Sequence, residues 1–167
     1  GGDGLVIARH LYMRGVAVTV FLLKDGGASS SQDHIANRKI IGHMPVRLFE
    51  ITKSHQLKLL KATLNHTDLL VDCVFGTGLN RNLNDLYIEA FDMINEVGLP
   101  CIAVDIPSGI NGDTGEVMGA AIKASKTYAL ALPKKGCYLK NADRYTGDLV
   151  VLPIGIPREV IAQSKPS

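Results

Sequence analysis

Two short apolar segments that each end in an aspartate, with an amphipathic helix pattern between them, constrain the fold of this chain most. The first segment ends at Asp72, and the second, Cys101 to Val104, is followed directly by Asp105. Over residues 84–97 the apolar residues recur at helical spacing, and Gly98 is a typical helix terminator. Because a strand, a helix and a second strand in this order form the parallel crossover unit, the pattern predicts a parallel sheet.

The rest of the chain continues the alternation of strand and helix patterns. Residues 16–23 are almost wholly apolar, as expected for a strand that is covered on both faces. The polar stretch 133–147, between the last two predicted strands, is predicted to be hairpin-like. The other predicted elements are a helix over 3–14, a helix over 35–41 capped by Asp33, strands over 46–51, 127–132 and 149–153, and a helix over 54–64.

Length and composition indicate one core. The chain has 167 residues, of which 46% are hydrophobic, and this suits one domain of ordinary size. We therefore predict a single three-layer, doubly wound α/β domain over residues 1–167, with a mostly parallel, Rossmann-like sheet. The chain begins inside a glycine turn at Gly1. Since such turns normally follow a strand, we expect the amino-terminal part of the domain to be missing.

Charge and apolar pattern argue against two classes of partner. Eighteen basic and sixteen acidic residues give a net charge of +2 without a basic block, so we expect no nucleic-acid partner. No apolar run approaches the roughly 18 residues of a membrane span, and no signal peptide is visible, so we expect a soluble protein and no membrane partner. The three cysteines, Cys73, Cys101 and Cys137, lack metal-ligand spacing and are expected to be reduced and buried in the core.

Three turns rich in glycine and carboxylate stand where open α/β sheets bind ligands. They lie around Asp3, after Asp72, and at Asp105 with its Pro-Ser-Gly turn. Ligands of such sheets bind outside the carboxyl ends of the strands, so the three turns predict one convergent site. The residues alone also allow a simpler interpretation, in which Asp72 and Ser108 only cap turns.

Basic residues near these turns have both a functional and a structural interpretation. Backbone N–H groups of 76–78 suit a phosphate, and Thr77 adds a hydroxyl. Arg81 would pair with that phosphate or lie solvated at the edge of the loop. Lys134 and Lys135 follow a predicted strand, but adjacent lysines in a loop are more often solvated, which is the interpretation we favour. Asp113 is expected to make an Asx turn.

Five spaced motifs resemble the NAD(P)H-hydrate epimerase family. They are Gly-Gly-Asp-Gly-Leu at 1–5 with Ala-Arg-His-Leu at 8–11, Asp-Cys-Val-Phe-Gly-Thr-Gly at 72–78, Val-Asp-Ile-Pro-Ser-Gly at 104–109 with Asn-Gly-Asp-Thr-Gly at 111–115, Ala-Leu-Pro-Lys-Lys-Gly at 131–136, and Gly-Asp-Leu at 147–149. The motifs occur in the family's order over nearly the whole chain. The family's first motif opens with two asparagines, which would stand before Gly1.

The resemblance implies an isomerase that interconverts the R and S forms of NADH or NADPH hydrated at C6 of the reduced ring, as a step in cofactor repair. It also implies a potassium ion, held by Asp72 and Ser108 together with one of the family's asparagines. Asp105 is implied as the catalytic acid and base. The implied substrate-binding residues are Gly1, Gly2, Asp3, Gly76, Thr77, Gly78, Leu79, Asn80, Arg81, Asn82 and Asp105.

The resemblance extends to partners and location. It implies a companion ADP- or ATP-dependent dehydratase, separate or fused, and a homodimer. It implies a cytoplasmic protein, or a mitochondrial one if the source is eukaryotic.

Two alternatives belong to other functional classes. Relatives of the same fold include non-catalytic binding or scaffold modules, in which we expect eroded motifs. Here Asp3, Asp72, Asp105 and Ser108 all stand, which favours the enzyme. An ordinary dinucleotide-binding oxidoreductase needs a G-x-G-x-x-G turn after its first strand, and this chain shows no such spacing.

Overall fold

The structure is a computed structural model that describes residues 2–24, 31–139 and 142–163. Within these ranges the chain forms six strands: β1 (Thr19–Leu23), β2 (Arg47–Ile51), β3 (Leu70–Asp72), β4 (Cys101–Val104), β5 (Lys126–Leu130) and β6 (Asp148–Leu152). The helices are α1 (Gly2–Met13), α2 (Gln32–Gly42), α3 (Leu57–Leu64), α4 (Asp85–Val97), α5 (Asp143–Thr146) and α6 (Arg158–Gln163), with 3-10 turns at Ser54–Gln56 and Lys135–Tyr138. None of the helices in these ranges combines the length and apolar character that crossing a bilayer requires.

All pairings among these six strands are parallel. β1 pairs with β2, and β3, β4, β5 and β6 form a second sheet in that order. The predicted α/β class with a mostly parallel sheet is therefore confirmed. The predicted hairpin-like link over 133–147 is wrong, because β5 and β6 run in the same direction and their link has to cross back along the sheet.

A large cavity, which we call the slot, lies between β1 and β3 and separates the two sheets. Its volume is about 1340 Å³, and it is lined by β1 on one side, by β3 on the other, and by α1 and α3. In the described part of the chain, β1 has a strand partner only in β2, and β3 only in β4. Among the residues that the structure describes, each of these strands therefore has one edge without a strand partner. The predicted sheet thus consists of two separate parallel sheets.

Helix α4 shows why the crossover unit could be predicted. The Asn84 side chain accepts a hydrogen bond from the Tyr87 N–H at the start of the helix, and Gly98 ends the helix with a φ of 68°. Phe91 is fully buried in the main apolar cluster, which also contains Leu60 of α3. Burying one side chain of this size contributes about 1.5–3 kcal/mol, so this helix face is strongly held.

Two of the differences between predicted and observed elements have clear local causes. β1 is shorter than predicted, because the Val16 N–H donates to the Leu11 carbonyl and still belongs to the end of α1. Extended pairing begins only at Thr19. Helix α2 is capped by Ser31, whose hydroxyl accepts a first-turn N–H at 3.1 Å, and not by Asp33.

The three cysteines, all within the described ranges, form no disulfide. Cys101 and Cys137 are buried as predicted, whereas Cys73 is only half-buried. Burial raises the pKa of Cys73 and Cys101 to about 12. Both are therefore thiols at neutral pH.

Candidate active site

Asp72 and Ser108 form a hydrogen-bonded pair at the carboxyl ends of two neighbouring strands. Asp72 is the last residue of β3, and its register partner in β4 is Ala103. The Ser108 N–H donates to Asp72 Oδ2 at 2.7 Å, and the Ser108 hydroxyl donates to Oδ1 at 2.6 Å. The Val74 N–H donates to the same Oδ1 at 3.2 Å. The carboxylate is thus fixed by one side chain and two backbone groups.

Burial gives the Asp72 carboxylate an unusual environment. Asp72 is 2% exposed and Ser108 is 0% exposed. Burial raises the pKa of Asp72, while hydrogen bonds from Ser108 and Val74 act in the opposite direction. Among the described residues, no lysine or arginine forms an ion pair with Asp72. A buried carboxylate without a cationic partner is costly, so this position suits a bound cation.

The oxygens around this pair fit the potassium ion that the resemblance implies. Potassium is a hard cation, and such cations take carboxylate, hydroxyl and carbonyl oxygens. The Phe75 carbonyl oxygen lies 3.4 Å from Ser108 Oγ, and the Phe75 N–H donates to that Oγ at 2.8 Å. The described residues hold no group of three or more His, Cys, Asp or Glu side chains that would favour a more highly charged ion. One carboxylate with neutral oxygens matches a singly charged cation.

The loop over residues 76–82 is anchored at one residue and exposed at the others. Leu79 is 6% exposed, and its carbonyl accepts a hydrogen bond from the Asn111 side chain at 3.1 Å. A Cβ at Gly76 or Gly78 would meet no atom within 4 Å. The exposed residues of the loop are Gly76, Thr77, Gly78, Asn80, Arg81 and Asn82. An anchored loop whose backbone borders open space suits the binding of a ligand.

The amino end of α1 brings the first glycine motif to the same region. A Cβ at Gly4 would lie only 2.9 Å from the Cβ of Cys73, so the helix packs closely on the residue after Asp72. Gly2 and Asp3 open this helix, and Asp3 is exposed. Gly1, the first predicted substrate-binding residue, lies outside the described residues.

Asp105 follows β4 in a rare backbone conformation and forms an ion pair. Its φ is 71°, a value that residues other than glycine seldom adopt. Its N–H donates to the Tyr128 carbonyl of β5 at 2.8 Å. Asp105 Oδ1 accepts hydrogen bonds from Lys134 Nζ at 2.8 Å and from the Leu130 N–H at 3.3 Å. The side chain is 20% exposed, so a ligand can reach it.

The structure adds three observations on residues that the sequence analysis singled out: Lys134, Asn82 and Asp113. The interpretation of Lys134 as a solvated lysine is wrong, because its ammonium pairs with Asp105. The available signal was its position just after β5, the neighbour of β4. Asn82 lines a separate cavity of about 410 Å³. The Asx turn expected for Asp113 is made instead by Asn111, whose Oδ1 accepts the Asp113 N–H at 2.9 Å.

Comparison with known proteins identifies the family. The family model described as YjeF-related protein N-terminus matches residues 1–136. The chain belongs to this family. The matched range contains Asp72, Asp105, Ser108 and Lys134.

Curated relatives in the same comparison carry related names. The chain is 40% identical over 158 residues to the NAD(P)H-hydrate epimerase of Lentilactobacillus buchneri, a match that covers 95% of this chain and 69% of the relative. It is 39% identical over 162 residues to the bifunctional NAD(P)H-hydrate repair enzyme Nnr of Moorella thermoacetica, covering 97% of this chain but 30% of that protein. The chain therefore spans less than a third of that bifunctional relative.

A solved structure supports the fold of this family member. The crystal structure of yeast ynu0, YNL200c, is similar with a TM-score of 0.74 at 22% sequence identity. The similarity covers 96% of this chain and 65% of the yeast chain. At this identity, the comparison shows a shared fold.

Proposed function

We propose that this chain catalyses the interconversion of the R and S forms of hydrated NADH and NADPH, whose hydroxyl is on C6 of the ring. The observation that carries the proposal is the juxtaposition of the Asp72–Ser108 pair, the loop 76–82 and Asp105 at the strand ends of a family member. A relative named NAD(P)H-hydrate epimerase, similar over 95% of the chain, supports it further.

In this proposal the loop 76–82 and the start of α1 bind the substrate. Backbone N–H groups and the Thr77 hydroxyl would receive the diphosphate oxygens, and Arg81 would offset their charge. The amino end of a helix favours an anionic group, and the first turn of α1 packs through Gly4 on Cys73, three residues before this loop. Asp3, exposed in the first turn, would accept hydrogen bonds from substrate hydroxyl or amide groups.

Asp72 and Ser108 would hold the potassium ion in this proposal. The Phe75 carbonyl would be a further ligand, because it lies beside Ser108 Oγ. When bound, the ion supplies a positive charge that offsets the buried carboxylate and attracts a substrate oxygen. Asp72 and Ser108 would then orient the substrate relative to Asp105.

The proposed chemistry breaks and remakes one C–O bond. The lone pair of the ring nitrogen expels the C6 hydroxyl, which takes a proton from solvent and leaves as water. An iminium ion remains, and the Asp105 carboxylate stabilises its charge. Water then adds to the opposite face, the C=N electron pair returns to nitrogen, and Asp105 accepts the proton that this water loses and passes it to solvent. In the reverse direction Asp105 gives that proton, so it acts as base and as acid. One proton is taken from solvent and one returned, so no co-reactant is consumed.

Epimerisation does not remove the added water, so its product needs a second reaction. We include in the proposal a companion dehydratase that uses ADP or ATP, separate or fused. The name bifunctional NAD(P)H-hydrate repair enzyme, carried by the Moorella thermoacetica relative, supports a fused arrangement. The homodimer stays a prediction from the family resemblance.

The test is epimerisation of purified R-form hydrated NADPH by the protein, followed by chromatographic separation of the two epimers. The assay is run with potassium and then with tetramethylammonium at equal ionic strength. We expect conversion to the S form that depends on potassium. An equal rate of conversion with potassium and with tetramethylammonium would remove potassium from the proposal. No conversion by folded protein would instead favour the non-catalytic binding module.

A further inference from the structure

Lys134 is held by two acceptors of its own chain. Its ammonium donates to Asp105 Oδ1 at 2.8 Å and to the Leu132 carbonyl at 3.1 Å. The side chains of Lys134 and Asp105 are 26% and 20% exposed. Partial burial and the second hydrogen bond distinguish this contact from an ordinary surface ion pair, which contributes little.

Both hydrogen bonds to the Asp105 carboxylate go to the same oxygen. Oδ1 receives the Lys134 ammonium and the Leu130 N–H. Within the described ranges, no residue donates a hydrogen bond to Oδ2. A carboxylate fixed through one oxygen presents the other in a defined direction. Oδ2 is therefore the atom left to exchange a proton with a ligand.

The backbone around this ion pair is strained on both strands. In the described part of the chain, Asp105 (φ 71°) and Ala131 (φ 63°) are the two residues other than glycine with positive φ. They directly follow β4 and β5, which are neighbours in the sheet. Ala131 begins the turn that carries Lys134. Such conformations are costly and persist where the surroundings fix them, often at functional sites.

We propose that Lys134 is a positioning residue for the epimerisation of hydrated NAD(P)H: it fixes Asp105 Oδ1 so that Oδ2 meets the oxygen that joins or leaves C6 on one face of the ring. The inference rests on the proposed function. Lys134 acts through Asp105, because two of the three N–H groups of its ammonium are held by Asp105 Oδ1 and the Leu132 carbonyl. Its neighbour Lys135 is exposed and follows the same strand. Lys135 is therefore a matched control.

The experiment compares Lys134→Met, Lys134→Arg and Lys135→Met with the unaltered protein in the epimerisation assay. A small displacement of a catalytic group lowers rates by up to about 100-fold. For Lys134→Met we expect kcat to fall about 10- to 100-fold with KM changed less than about 3-fold. For Lys134→Arg we expect the decrease in log kcat to be at least one third smaller than for Lys134→Met, because a guanidinium can reach the same oxygen. Lys135→Met should stay within about 2-fold of the unaltered protein on both parameters.

Two kinetic results would overturn the inference. One is a Lys134→Met variant with unaltered kcat and KM. The other is a variant with raised KM and unaltered kcat, which would mean that Lys134 binds the substrate. If the unaltered protein is itself inactive, the proposed function fails, and crystal structures of the unaltered protein and Lys134→Met decide the positioning. If Asp105 Oδ1 in the Lys134→Met structure still accepts the Leu130 N–H in the same position, the lysine does not position the carboxylate and the inference is overturned.

Discussion

The Asp105 side chain is partly exposed, and one of its carboxylate oxygens is fixed by hydrogen bonds. Its replacement by asparagine therefore tests its role in the reaction separately from its role in substrate binding. The amide oxygen of Asp105→Asn can still accept from Lys134 and Leu130, so we expect an intact fold and nearly unchanged substrate affinity. The amide cannot exchange the proton, so the epimerisation rate should fall by about 100-fold or more. Initial rates from epimer separation measure this. Asp113→Asn, an exposed change of the same kind, is the control. An unchanged rate would remove Asp105 from the chemistry.

The burial of Asp72 predicts that potassium stabilises the folded protein. Because its carboxylate is buried without an ion-paired lysine or arginine in the described residues, potassium should stabilise the folded protein. At a concentration of about 100 times its Kd, a ligand that binds only the folded state stabilises it by about 2.7 kcal/mol. We expect Tm to rise when potassium replaces tetramethylammonium at equal ionic strength, and Asp72→Asn to abolish the rise. An equal rise in the variant would locate the cation elsewhere.

The sequence is enough to place some site residues but not others. Asp72 and Asp105 could be placed at one sheet edge because each ends a short apolar segment, and parallel strands bring such ends together. Lys134 and Lys135 have the same local context, so no local rule tells which one meets Asp105. That difference depends on the turn after β5 and on its register with β4, which are tertiary properties.

At the scale of elements, the turn after β4 depends on a glycine. Gly109 has a φ of 98°, and a Cβ there would collide with the Ala120 carbonyl. Gly98, at the end of α4, has a φ of 68° but open space around it. We expect Gly98→Ala to cost about 1 kcal/mol from its conformation alone, and Gly109→Ala about 3 kcal/mol or more. Urea unfolding measures both. Equal losses would mean that the close approach to Ala120 is unimportant.

Helix α4 and strand β4 were predictable because their signals are local. An asparagine cap, apolar residues at helical spacing and a terminal Gly98 specify α4 without reference to the rest of the chain. The start of β1 was not predictable, because Val16 has a side chain typical of strands but donates its N–H to the Leu11 carbonyl of the preceding helix. The link over 133–147 was misinterpreted for a related reason. Its composition indicates turns, but only strand direction distinguishes a hairpin from a crossover.

At the scale of the whole molecule, the two sheets should differ in stability. β4 and β5 are paired on both edges, whereas β1 and β2, within the described ranges, form a two-stranded sheet beside the slot. Small sheets with open edges unfold locally at low cost. We expect amide hydrogens of β4 and β5 to exchange slowest and those of β1 and β2 at least about 10-fold faster, as measured by NMR hydrogen exchange. Equal protection in both sheets would show that they unfold as one cooperative unit.

The extent of the domain stays a prediction. The family model matches residues 1–136. β6 lies beyond that range but pairs with β5, which lies within it. The pairing is consistent with one unit over most of the predicted span 1–167. Which residues suffice for independent folding follows from limited proteolysis, not from the pattern of residues.

Helix α1 connects the two sides of the slot at the proposed substrate site. It packs through Leu5 on the β1 side and through Gly4 on Cys73, which follows β3. Asp3, in the first turn of α1, is therefore held relative to both sheets before a ligand binds. A group that is already fixed loses little conformational freedom on binding, and such preorganisation raises affinity.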